Sequence, residues 1–169
     1  MVIWIIGLSG SGKTTMGRLF VNWAREAGKN LVILDGDEVR ELFDDKLGHT
    51  SVDRRFNAAR IIRLCCFLDE QGLDLVVPIL SISQDDRDYC RKAVSHYYEI
   101  FINSTVSTVE ERDPKGIYAK FGRGEVLNVV GKDIDMDPPL RSDFIVSNNG
   151  AKDSFIRQAK MIFRNIFGE

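Results

Sequence analysis

A lysine and two threonines close the stretch "IIGLSGSGKTT", residues 5 to 15, directly after an apolar run near the start of the chain. Gly7, Gly12, Lys13 and Thr14 satisfy the pattern G-x-x-x-x-G-K-[ST], with Ser9, Gly10, Ser11 and Thr15 completing the turn. Glycines in such a turn let backbone N–H groups converge on phosphate oxygens, aided by the start of the following helix. Lys13 would reach the β- and γ-phosphates of a nucleotide, and the Thr14 hydroxyl would sit on Mg²⁺. A chance glycine-rich turn is the bland alternative. A strand before it, an amphipathic helix after it and every motif position filled argue for nucleotide binding, with ATP and Mg²⁺ as the expected cofactors. No N/T-K-x-D tetrapeptide, which a GTPase needs to read guanine, occurs in the chain. Motor and transporter ATPases are usually larger, so a small-molecule kinase fits best.

Acidic residues follow in "LDGDEVR", Leu34 to Arg40. Side chains at the carboxyl ends of parallel strands line the ligand crevice, which would place Asp35 and Asp37 beside the phosphates. One can orient Mg²⁺ through water and the other can accept the proton of an attacking hydroxyl. Asp35 is assigned to the metal side and Asp37 to the base; the opposite order and a mere helix cap at Asp37 are the alternatives. Arg40 lies one helical turn further on, and Arg54, Asn57 and Arg60 follow at spacings of three. Most arginines belong to solvated helix surfaces. An asparagine between two arginines near the crevice points instead to a phosphate- or sulfate-bearing acceptor.

These residues need a scaffold, and apolar runs alternate with amphipathic segments in the manner of βαβ units. Strands are expected at Val2–Ile6, Leu31–Leu34, Leu73–Ile79, Tyr98–Asn103 and Asp143–Val146. Helices are expected at Lys13–Glu26, Asp37–Phe43, Val52–Glu70, Arg87–Ser95, Val106–Arg112 and Lys152–Phe167. Ile61, Leu64, Cys65 and Leu68 mark one face of the longest. Strands of near-continuous β-branched residues imply a parallel sheet covered on both faces, an α/β three-layer P-loop fold with five parallel strands. The segment from about 113 to 139 is rich in glycine, lysine and proline with little periodicity. A loop this long in a compact domain is usually functional, and it suits a lid over a ligand.

The chain of 169 residues is expected to form a single domain, 1–169, burying about two thirds of its unfolded surface. A net charge of −2 and the absence of basic runs give no support to nucleic-acid binding. Cys65, Cys66 and Cys90 form neither a disulfide framework nor a zinc spacing. The first strand is far too short for a membrane span and no basic segment precedes an apolar stretch, so a cytoplasmic location follows by default. His96, Trp4 and Trp23 read as packing residues.

GLSGSGKTT, LDGDEVR, LG followed by DR-x-x-N-x-x-R, DDRDYCR and above all ERDPKGIYAK together resemble the adenylylsulfate kinases over most of the chain. The resemblance implies MgATP-dependent phosphorylation of the ribose 3′-hydroxyl of adenosine 5′-phosphosulfate, usually by a homodimer. It implies that Arg40, Arg54, Asn57 and Arg60 bind the acceptor, and that Lys115, Tyr118 and Lys120 act from the lid. Arg112 and Asn148 would lie near the ATP adenine, and Ser81 matches a serine that forms a phosphoenzyme in some members. Departures fall on the acceptor side. The family's G-F-S reads Gly48-His49-Thr50, and its G-F-T-G reads Asn128-Val129-Val130-Gly131, so both phenylalanines that sandwich the acceptor's adenine are replaced. The glutamate of D-R-x-E-N is Phe56, and F-I-S-P-Y-R reads Ile79-Leu80-Ser81-Ile82-Ser83-Gln84.

Losing one face of a base stack costs about 1–3 kcal/mol. His49 could still stack and Phe56 or Phe121 could swing in, but His49 and Val129 make a smaller clamp, better matched to a pyrimidine. The resemblance therefore extends to the cytidine diphosphoramidate kinases of capsule biosynthesis, with the sulfate-assimilation activity as the alternative acceptor. A gluconate- or shikimate-type kinase fits the glycine turn but not the DPKG-x-Y stretch. A silent nucleotide sensor would not need Lys13, Asp35 and Asp37.

Overall fold

The computed structural model describes residues 1–43, 47–136 and 138–168; Asp137, inside the expected lid, lies outside them. Five strands, β1 (Val2–Ile6), β2 (Leu31–Ile33), β3 (Asp74–Pro78), β4 (Tyr97–Asn103) and β5 (Phe144–Ser147), form one parallel sheet in the order β2-β3-β1-β4-β5. Seven helices are described: α1 (Lys13–Glu26), α2 (Gly36–Glu41), α3 (Ser51–Glu70), α4 (Gln84–Ala93), α5 (Val106–Arg112), α6 (Ile117–Gly122) and α7 (Lys152–Phe167).

The alternation of side chains along β1 explains why its sequence is apolar without a break. Ile3 and Ile5 pack with Met16 and Phe20 of α1 and Phe155 and Phe163 of α7. Val2, Trp4 and Ile6 face the other way, onto Ile61 and Cys65 of α3 and Cys90 of α4. Every residue of β1 is thereby fully buried, and the domain has three layers as expected. Trp23 packs edge-on against Phe163, with centroids 5.6 Å apart. Among the described residues no helix is long and apolar enough to cross a membrane.

Several expected boundaries shift by one to three residues, and three of the shifts have a clear local reason. The α4 helix starts at Gln84 rather than Arg87, because the Ser83 hydroxyl accepts the Asp86 N–H and caps it there. It stops at Ala93, where Val94 turns extended. The last strand begins at Phe144, since the Asp143 carboxylate is drawn to the Glu99 N–H and to Arg91. The larger correction concerns the segment from about 113 to 139, expected as a loop. It is not an unstructured loop: α6 lies within it, and Tyr118 packs with Val109 and Val129 in a small cluster flanked by Leu8, Ile117, Phe121 and Val126.

Candidate active site

The turn between β1 and α1 is built by contacts from distant segments. Gly7 has φ +150°, and a Cβ there would stand 2.7 Å from both the Ile102 carbonyl and the Ser11 hydroxyl. Gly12 has φ +106°, and a Cβ would meet the Asn148 side-chain amide at 2.9 Å. Three side chains take up the turn's carbonyls: Lys13 Nζ donates to Leu8 O at 2.7 Å, Tyr118 O–H to Ser9 O at 3.2 Å, and Asn148 Nδ2 to Ser11 O at 2.8 Å. Burial lowers the Lys13 ammonium to about 8, against the raising influence of Asp37 and Asp35. An anion placed beside it would restore its charge.

Asp35 holds the adjoining corner. Its Oδ1 accepts the Asp37 N–H at 3.0 Å, so Asp35, not Asp37, is the N-cap of α2. Its Oδ2 accepts the Thr14 hydroxyl at 2.7 Å. The Thr14 proton is thereby directed to Asp35, leaving the hydroxyl's lone pairs available to a hard cation such as Mg²⁺. Asp37 forms an ion pair with Lys115, which precedes α6. Burial works to raise the Asp37 carboxyl, and the hydrogen bond and charge of Lys115, with Lys13 and Arg40 beyond, outweigh it and hold it below the usual carboxylate range.

These groups open onto a cleft of about 750 Å³. Of the residues singled out in the sequence, Ser9, Gly10, Gly12, Lys13, Thr14 and Thr15 line it at the phosphate end. Asp35, Asp37, Arg40, His49, Arg54 and Asn57 also line it, with Lys115, Lys120 and Val129 contributed by the segment from about 113 to 139. Arg40 Nη1 donates to Gly48 O at 2.5 Å and Arg54 Nη2 to Asn128 O at 2.8 Å. Their Nε–H groups are buried and make no hydrogen bond among the described residues. Asn57, 2% exposed, donates to Gly36 O at 3.0 Å, while its Oδ1 accepts nothing among the described residues. Two donors on cations and one acceptor at the cleft thus have no protein partner among the described residues, and a ligand with anionic oxygens and an O–H or N–H would match them. Burial, then the Arg40 and Arg54 charges, push the His49 imidazole down, so it is neutral at pH 7.

The remaining expected site residues stand off the cleft. Gly7 and Ser11 shape the turn from behind, as do Asn148 and Tyr118. Arg112 is exposed and reaches Gly150 O at 3.5 Å, beside Asn148. Arg60 lies over the Phe43 ring, 4.0 Å from its centroid. Six residues along a helix of about 3.6 per turn, it faces about 120° away from Arg54. Ser81 is 2% exposed, beneath the floor formed by Pro78, Ile79 and Leu80. Its carbonyl accepts Arg87 Nη1 at 2.8 Å and its hydroxyl makes no hydrogen bond among the described residues. Phe56 is 62% exposed and Phe121 belongs to the lid cluster, so neither swings into the cleft. Residues 126–130 line the cleft as a continuous wall, of which the sequence reading singled out only Val129.

Residues 1–147 match the adenylylsulphate kinase family. A cytidine diphosphoramidate kinase of Campylobacter jejuni is 36% identical over 168 residues, 98% of this chain and 95% of that protein. An adenylyl-sulfate kinase of Rippkaea orientalis is 38% identical over 143 residues, 85% of this chain and 79% of that protein. Among solved structures, the Mycobacterium tuberculosis APS kinase CysC in complex with AMPPNP and APS superposes with a TM-score of 0.89 at 28% identity, covering 99% of this chain and 97% of that one. With a family model matching residues 1–147 and relatives 36% and 38% identical over most of the chain, the chain belongs to the adenylylsulphate kinase family of nucleotide phosphotransferases.

Proposed function

We propose that this kinase transfers the γ-phosphoryl group of MgATP to the ribose 3′-hydroxyl of a 5′-modified nucleotide, with cytidine diphosphoramidate as its acceptor. Lys13 and the N–H groups of the turn hold the β- and γ-phosphates and stabilise charge as it moves onto the bridging oxygen. Thr14 and Asp35 would hold Mg²⁺, which supplies charge neutralisation across the β- and γ-phosphates. Asp37, kept ionised by Lys115, accepts the proton of the attacking hydroxyl. The buried Nε–H groups of Arg40 and Arg54 bind the charged 5′ group, and Asn57 Oδ1 accepts from a ligand hydroxyl or amine. The lid excludes water that would otherwise hydrolyse ATP.

One observation carries the choice of base. No phenylalanine, tyrosine or tryptophan lines the cleft among the described residues, and His49 is its single aromatic side chain. A purine held between two large rings would lose about 1–3 kcal/mol for each missing face. A pyrimidine needs less stacking surface. The test is ADP release from MgATP with cytidine diphosphoramidate and adenosine 5′-phosphosulfate supplied separately at equal concentration. Turnover with the cytidine compound, at least tenfold above the sulfate nucleotide, is expected; preference for the sulfate nucleotide would overturn the choice of base and leave sulfate activation as the function.

A further inference from the structure

Asn128 stands in the cleft wall beside Val129 with φ +64°, the left-handed region that residues other than glycine rarely adopt. The protein itself satisfies the peptide groups around it. Asn128 N–H and Val129 N–H donate to the two oxygens of Asp133 at 2.7 and 2.6 Å, and the Asn128 carbonyl accepts from Arg54 at 2.8 Å. The backbone is thus clamped on both sides, by the lid's own carboxylate and by a cation of the acceptor wall. The side-chain amide is different. It is half-buried and makes no hydrogen bond among the described residues. A clamped backbone with an unengaged amide is a preorganised recognition group.

We propose that Asn128 is the residue that reads the acceptor's base: its amide oxygen accepts from an exocyclic amine while its NH₂ donates to the neighbouring ring nitrogen. Cytosine presents that pair at N4 and N3. The inference rests on the reading of the acceptor as a nucleotide. Three features direct the amide to the base rather than to the rest of the ligand. The charged 5′ group has cationic donors in Arg40 and Arg54. Among the described residues the cleft lacks large rings to stack on, which leaves the edge of the base as the feature to read. Val129, next in sequence, lines the cleft beside it and is anchored in the cluster with Val109 and Tyr118, which fixes the position of the amide.

Asn128→Gly tests this without straining the loop, because glycine adopts φ +64° freely and the contacts to Asp133 and Arg54 are made by backbone atoms. KM for cytidine diphosphoramidate should rise about tenfold, the loss of one to two hydrogen bonds to a buried edge. The value of kcat, KM for MgATP and the thermal midpoint should not change. Ribose 5-diphosphate, which carries no base, should inhibit the wild type and the variant with equal Ki. Asn128→Asp, which keeps the shape but loses the donor, should raise KM in the same way as glycine. A KM within twofold of wild type in Asn128→Gly overturns the proposal, as does an equal loss of affinity for ribose 5-diphosphate. If the wild type uses only adenosine 5′-phosphosulfate, the choice of cytosine falls but the test of Asn128 does not: adenine offers the same pair at N6 and N1, and the same comparison with that acceptor decides.

Discussion

Lys13 and Asp37 carry opposite charges at one end of the cleft, and their environments pull their protonation in ways that can be measured. Burial brings the Lys13 ammonium to about 8 in the absence of ligand. Polyphosphate beside it favours the charged form and raises that value. The affinity gained from the charge is therefore fully present below pH 8 and is lost as pH rises above it, by up to about tenfold per unit. Isothermal titration of MgATP at pH 9, in buffers of different ionisation heat, should show uptake of close to one proton, and titration at pH 7 much less. Lys13→Ala should abolish the uptake and collapse turnover; binding without proton uptake at pH 9 would place the phosphates away from Lys13. This residue was legible in the sequence because its partners are neighbours: Leu8, Gly12 and Thr14 lie within five positions. Asn148 was not legible in its present role. Its hydrogen bond to Ser11 spans 137 residues, and no local pattern carries that contact.

At the scale of elements, the acceptor wall depends on how α3 begins. Thr50 accepts the Asp53 N–H at 3.2 Å, and the Asp53 carboxylate accepts the Thr50 N–H at 3.1 Å, a reciprocal capping box. Arg54 and Asn57 stand within the next two turns, so the cap fixes two of the side chains that line the cleft. Thr50→Ala should cost about 1 kcal/mol of stability in a denaturant titration, and should raise acceptor KM while leaving KM for MgATP unchanged. An unaltered acceptor KM would mean that packing of Ala58, Ile61 and Ile62 holds the first turns without the cap. The expectation placed the start of this helix at Val52, one residue inside its observed limit. The short helix α6 shows the opposite case. Ile117–Gly122 has six residues, too few for a 3.6-residue period to stand out, and left-handed glycines at 116 and 124 flank it. Its order comes from Tyr118 reaching Val109 and Val129, which the sequence separates by 20 residues.

On the scale of the whole molecule, the parallel sheet brings the carboxyl ends of β1, β2 and β3 to one rim, where the phosphate turn, the Asp35–Asp37 pair and the cleft floor meet. The floor is tied to the sheet by a buried charge pair. Arg87, 3% exposed, donates to Ser81 O at 2.8 Å and to Gln84 Oε1 at 2.7 Å, and stands 3.3 Å from the carboxylate of Glu99, 1% exposed. Glu99 also accepts from Tyr97 and Ser142, at 3.2 and 2.9 Å. The strand–loop segment after β3 is thus held to β4, across the sheet from the strand that carries it. A buried pair of this kind adds little net stability, because both charges leave water, but losing one partner leaves the other uncompensated. Arg87→Met should lower unfolding free energy by about 3–5 kcal/mol. Joint replacement, Arg87→Met with Glu99→Leu, should recover much of that loss, since no uncompensated charge remains; the Tyr97 and Ser142 hydroxyls can turn elsewhere, and only Gln84 Oε1 and the Ser81 carbonyl lose a donor. Acceptor KM should separate the two variants from wild type in a different way: without Arg87 the Ser81 carbonyl is released in both, so the floor at Ile79 and Leu80 should stay loosened even where stability returns. Recovery of stability together with wild-type acceptor KM would show that the pair serves only the core; recovery of stability alone would show that the sheet uses it to position the acceptor.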